Sequence, residues 1–140
     1  MNVWLCPVKP KGWRITKREN IFGTSSKGRK KLNEVKPGDL IAFYVMKSMN
    51  GIVAIYRVVS HPFEGHEDLW GGNRYPYRVH IEAIAEFMKD ERNPVPLHAV
   101  FGRLNEKLGI IIEPYLRGVS LVKLNDKQSQ RLKDVFRYCS

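Results

Sequence analysis

Lys36-Pro-Gly-Asp-Leu-Ile-Ala-Phe-Tyr-Val-Met46, followed by Asn50-Gly51 and Ile52-Val-Ala-Ile-Tyr-Arg-Val-Val59, is the stretch that decides the fold. Pro37-Gly38-Asp39 stops whatever precedes it and turns the chain. Leu40–Met46 is an unbroken apolar run of strand length, and such a run reads as a strand buried on both faces. Asn50-Gly51 is the strongest hairpin signal in the chain and predicts an antiparallel return through Ile52–Ser60.

Working outward, residues 2–8 predict a first strand, and Tyr77–Phe87 predicts a further one with Tyr77, Val79, Ile81, Ala83 and Ala85 on one face. Residues 9–24 are polar and basic with Gly12, Trp13 and Asn20, and read as a functional loop with room for one helical turn. Ser25 or Ser26 is placed to cap a short helix reaching about Val35, and His98–Leu108 predicts another that ends at Gly109. Ile110–Glu113 and Val119–Leu124 predict two short strands. Asn125 or Asp126 then caps a final helix with a Leu132, Val135, Phe136 stripe. The expected class is α+β, a small mixed barrel of about five to six strands flanked by short helices, formed by residues 1–140 as a single domain. A chain this long hides roughly 68–70% of its unfolded surface and needs no covalent staples.

Net charge is +10, and its distribution is uneven. Residues 1–36 carry ten Lys/Arg against two acids, whereas residues 37–140 carry fourteen against twelve. That asymmetry points to an anionic partner, nucleic acid first. No apolar run approaches the ~20 residues of a membrane span, and the N-terminal sequence does not read as a signal peptide. The expectation is a soluble, cytoplasmic chain without membrane contact. Cys6 and Cys139 are too few for a disulfide framework or a zinc site; they read as thiols, with one bridge between neighbouring chain ends as the alternative.

Recognising a base outside a duplex takes flat aromatic faces for stacking and cations for phosphates. Trp13 sits among Lys9, Lys11, Arg14, Lys17 and Arg18, an aromatic in a basic segment. Trp70 is flanked by Leu69 and Gly71-Gly72, and Asn20 offers an amide to a base edge. Lys27-Gly-Arg-Lys-Lys31 is the densest basic cluster. Enzyme readings have little to stand on. His61, Glu64, His66, Glu67 and Asp68 share a loop without a recognisable metal spacing, and no nucleophile elbow or phosphate-binding glycine loop is present. No cofactor is expected.

The order of features resembles the EVE domain of the PUA-like superfamily, a relative of the YTH domain. The resemblance rests on Val3-Trp4-Leu5, Trp13, Arg18-Glu19-Asn20, the stretch from Leu32 to Val45, Ile52 to Val59, Tyr75-Pro-Tyr-Arg-Val79 and the terminal helix. It implies a PUA-like pseudobarrel whose pocket holds a modified base, flipped out of nucleic acid, between aromatic walls. By position it implies Trp13 as one wall, Trp70 as a second, and Asn20 near the pocket. Arg14 departs from the YTH pattern, which has a small polar residue there.

The combined expectation is a non-enzymatic domain that binds RNA or DNA. Trp13, Asn20, Trp70, Tyr75 and Tyr77 would form the base pocket, and Lys11, Arg14, Lys17, Arg18, Arg29, Lys30, Lys31 and Arg78 would lie along the backbone. The alternative is a small-molecule or nucleoside sensor using the same pocket.

Overall fold

A computed structural model describes residues 1–46, 49–71, 74–101 and 121–138. Seven strands among them form a curled mixed sheet, a half-barrel: β1 (Val3–Val8), β2 (Ile21–Thr24), β3 (Leu40–Val45), β4 (Gly51–Val58), β5 (Phe63–Glu64), β6 (Tyr77–Met88) and β7 (Val122–Lys123). The helices described are α1 (Pro10–Glu19), α2 (Arg29–Leu32, after a 3₁₀ turn over Ser26–Gly28), α3 (Leu97–Phe101) and α4 (Asp126–Tyr138). Strand order is β2-β6-β4-β3-β1-β7, with β5 also on β6. None of the described helices is long and apolar enough to cross a membrane.

The opening stretch does what its residues require. All six residues of β3 are buried, because side chains alternate between two cores on its two faces. Leu40, Ala42 and Tyr44 join Val3, Leu5, Leu132 and Phe136 on one side; Ile41, Phe43 and Val45 join Trp4, Cys6 and Trp13 on the other. Asp39, buried, pins the turn that starts β3. Its Oδ1 accepts the Asn2 amide at 3.0 Å, and its Oδ2 accepts Trp4 Nε1 at 3.1 Å and the Lys36 amide at 3.0 Å. Those bonds hold β1 in parallel register with β3, from Val3–Leu40 to Val8–Val45. A parallel pair needs a crossover, and residues 9–39 supply it.

Most of residues 9–24 is therefore regular structure and not a loop. Pro10 opens α1 at a position where its missing N–H costs nothing. Trp13 and Thr16, three apart, are the buried face, and Asn20 closes the helix in the left-handed region at φ 55°. The residues that follow enter β2, antiparallel to β6 from Ile21–His80 to Thr24–Tyr77.

β6 first pairs with β2 and β5, then with β4. The alternation expected for it holds through Val79 and Ile81; Ala83 and Ala85 are exposed, and Phe87, of the same parity, is buried in the opposite core cluster. Phe87 changes sides at an irregularity in the β4–β6 ladder, where Tyr56 pairs with Ala83 but Ala54 pairs with Met88. Extra residues on one strand re-aim every side chain after them. The final helix has its expected cap, with Asn125 Oδ1 accepting the Gln128 amide and Gln128 Oε1 accepting the Asn125 amide. Cys6 is a buried free thiol whose pKa is pushed up by burial. Cys139, the expected strand Ile110–Glu113 and most of the helix expected over His98–Leu108 lie outside the described residues.

Candidate nucleic-acid interface

A cavity of about 370 Å³ opens where the end of β1, the first turns of α1 and the edge strand β2 converge. That volume falls within the usual range for small-molecule sites. Trp70 and Tyr75 give it an aromatic wall, with ring centroids 5.6 Å apart and planes at 88°. The wall is held from behind. Arg78 is 2% exposed, and its guanidinium carbon lies over the Trp70 ring at 5.1 Å. Its Nε donates to the Tyr75 carbonyl at 3.1 Å, and its Nη2 donates to the Glu67 carbonyl. Tyr75 takes a positive φ of 59°, rare for a residue with a side chain. Gly23 on β2 lets the wall approach, since a Cβ there would stand 2.8 Å from Trp70 Cη2 and 2.9 Å from the Tyr75 carbonyl oxygen.

The cavity lining is positive. Among the described residues, Lys9, Lys11, Lys27 and Arg74 contribute to it, and no Asp or Glu does. None of these four cations takes part in an ion pair among the described residues. Lys9, Lys11 and Gly12 also bring the first turn of α1 to the cavity, with no acidic residue and no side-chain cap there. The exposed amides at such a helix start carry partial positive charge.

Trp70, Tyr75 and Lys11 thus meet at one cavity. Trp13 does not line it. At 1% exposed, its ring packs against Phe43 and Tyr56 at 5.2 and 5.9 Å, and Nε1 donates to Glu91 at 2.8 Å. It is the core anchor of α1, which corrects its assignment as a wall. Its basic neighbours Arg14, Lys17 and Arg18 fall on the exposed side of the same helix, which made a core residue look like a surface one.

Asn20 caps the far end of α1, its amide donating to the Thr16 carbonyl and its own carbonyl accepting the Ile81 amide; it lies outside the cavity lining. Tyr77 belongs instead to a smaller cavity of about 130 Å³ with Phe63 and Glu64, under the Arg29 guanidinium at 4.8 Å. Arg78, expected on the phosphate backbone, is buried and engaged as described. Lys17 pairs with Glu91 at 2.7 Å and Arg18 with Glu19 at 3.3 Å, while Lys31 stands 3.9 Å from Glu34. Arg14 and Lys30 are exposed. The Lys17 and Trp13 hydrogen bonds hold the Glu91 carboxyl below its ordinary range.

Lys9, Lys27 and Arg74 were missed as cavity residues. Lys9 was legible as the residue before an N-terminal proline. Arg74, beside Tyr75 in an irregular loop, carried no pattern.

A family model for the EVE domain matches residues 2–129. The chain belongs to the EVE domain family. Among curated relatives, this EVE domain is 35% identical over 97 residues to the UPF0310 protein PH1033 of Pyrococcus horikoshii, covering 60% of this chain and 67% of that one. Among solved structures it resembles a hypothetical protein from Leishmania major, with TM-score 0.70, 14% identity, and 99% and 96% of the two chains covered. It also resembles the YTH domain of the Zygosaccharomyces rouxii MRB1 protein, solved in complex with N6-methyladenosine RNA. There the TM-score is 0.66 at 17% identity, over 97% and 88% of the chains. At such identities the likeness establishes a shared fold.

Proposed function

We propose that this EVE domain binds RNA or DNA without chemical turnover and seats one modified or flipped base in the 370 Å³ cavity, against Trp70 and Tyr75. The observation that carries the reading is the pairing of an aromatic wall with Lys9, Lys11, Lys27 and Arg74 and, among the described residues, no carboxylate. An aromatic face stabilises an unstacked base by about 1–3 kcal/mol, and cations at the mouth meet the flanking phosphates. The YTH structure of the same fold, bound to RNA bearing N6-methyladenosine, supports the same use of the fold here. Trp13 and Arg78 act from behind the site as packing residues. Arg14, Lys30 and Arg29 are available to extend the backbone track.

The test is an affinity panel of plain and base-methylated single-stranded RNA and DNA, with the matching free nucleosides, at two salt concentrations. The reading predicts salt-sensitive binding that favours a modified strand over its plain counterpart and over the free nucleoside. Free nucleosides binding as tightly as strands, with no salt dependence, would replace it with a small-molecule sensor.

A further inference from the structure

Resting on that base-pocket reading, we propose that the cavity selects by charge, accepting a modified base that stays neutral and rejecting one that methylation has made cationic. Two observations on different sides of the cavity carry this. The first is behind Trp70. An indole face attracts cations because its π density is negative, but here the buried Arg78 guanidinium already lies over the ring at 5.1 Å. Arg78 is absent from the cavity lining, so the cavity meets Trp70 by a surface that Arg78 does not cover. A cationic base stacked there would share one ring with a second positive charge. A base approaching the ring edge would meet the positive part of the quadrupole. Either approach favours a neutral ring.

The second observation is the lining itself. Lys9, Lys11, Lys27 and Arg74 line the space, and no carboxylate among the described residues lines it with them. A cationic base would be stripped of water in a positive field, and juxtaposed like charges are the usual means by which an interface rejects a wrong partner. Strand phosphates neutralise part of that field, but they do so equally for two strands that differ only in where one methyl group is attached.

That equality defines the experiment. Matched single-stranded oligonucleotides carry, at one central position, N6-methyladenine or N1-methyladenine, and 5-methylcytosine or N3-methylcytosine. The first of each pair is neutral at pH 7 and the second is cationic. Fluorescence anisotropy at fixed salt gives their affinities beside the unmodified strands, for the wild type and for a Lys11→Gln, Arg74→Gln double variant. The expected result is a neutral member bound at least about tenfold more tightly than its cationic isomer, with the ratio narrowed in the double variant. Equal or tighter binding of the cationic isomers overturns the proposal. So does a preference that the double variant leaves unchanged, which would assign the discrimination to hydrogen bonding. Plain and modified strands all bound alike would overturn the base-pocket reading itself, and this proposal with it.

Discussion

Gly23→Ala probes the aromatic wall without touching an aromatic residue. The added Cβ would lie 2.8 Å from Trp70 Cη2, 2.9 Å from Trp70 Cζ3 and 2.9 Å from the Tyr75 carbonyl oxygen. Carbon pairs are most favourable near 3.5–4.0 Å, so the ring must withdraw by about 1 Å. Rotating the indole away does not relieve the clash, because the Tyr75 oxygen is backbone, held by Arg78 Nε at 3.1 Å. Ring and loop have to move together. Overpacking of this kind costs about 1–3 kcal/mol, and a wall displaced by about 1 Å loses much of a stacking energy of about 1–3 kcal/mol per base. Urea denaturation should show the first loss, near-ultraviolet circular dichroism the changed tryptophan environment, and anisotropy an affinity reduced about fivefold or more. Gly12→Ala is the control for stability alone, since Gly12 lines the cavity: its Cβ would meet nothing within 4 Å, and inside α1 it should stabilise by about 0.4–1 kcal/mol. If Gly23→Ala matches the wild type in stability, spectrum and affinity, Trp70 does not pack on β2 as described.

Trp13→Ala should cost about 3–5 kcal/mol in urea denaturation, the range for a large core aromatic, while Trp70→Ala costs much less and acts on binding; equal effects on stability would contradict the core assignment. Asp39→Asn turns an amide donor toward the Asn2 amide or toward the Trp4 and Lys36 donors, and should destabilise by about 1–3 kcal/mol; an unchanged denaturation midpoint would mean that this turn does not hold β1 to β3. Glu91 has a folded pKa lowered from 4.5 by Lys17 and then Trp13, so its contribution is present above pH 4.5 and is lost as pH falls below it. Glu91→Gln should flatten the acid limb of a stability–pH curve, and an identical limb would remove Glu91 as its cause. Replacing Lys11, Lys27 and Arg74 together with Ala should lower the slope of log affinity against log salt by about 2, each phosphate contact on a single strand contributing about 0.7; an unchanged slope places the phosphates elsewhere.

What could be read from the sequence follows from where the information was local. The β3 run, its antiparallel return through β4 and the α4 cap are decided by a few adjacent residues, and they appear where expected. α1 was hidden because its buried face is only Trp13 and Thr16, too little apolar periodicity to stand out from its lysines and arginines. Its boundary residues, Pro10 and Asn20, were the legible signal. The move of Phe87 to the opposite core depends on an irregularity shared with β4, a pairing that one strand's own sequence does not encode. The site divides in the same way. Trp70 and Tyr75 stood out as aromatics beside glycine and proline. The fate of Arg78 depended on a loop carbonyl eleven residues earlier and on the Trp70 ring. Trp13 drew its appearance from neighbours on the other side of a helix that had been read as a loop.

The most direct test of the account follows Trp70 fluorescence while a methylated single-stranded oligonucleotide is titrated, comparing wild type with Trp70→Phe and measuring binding independently by anisotropy. Trp4 and Trp13 are each 1% exposed and deep in the core, so only Trp70 is placed to sense a base. The account predicts quenching that tracks binding in the wild type and disappears in Trp70→Phe, whose affinity is weakened. Equal quenching and equal affinity in the two proteins would contradict it and move the bound base away from this wall.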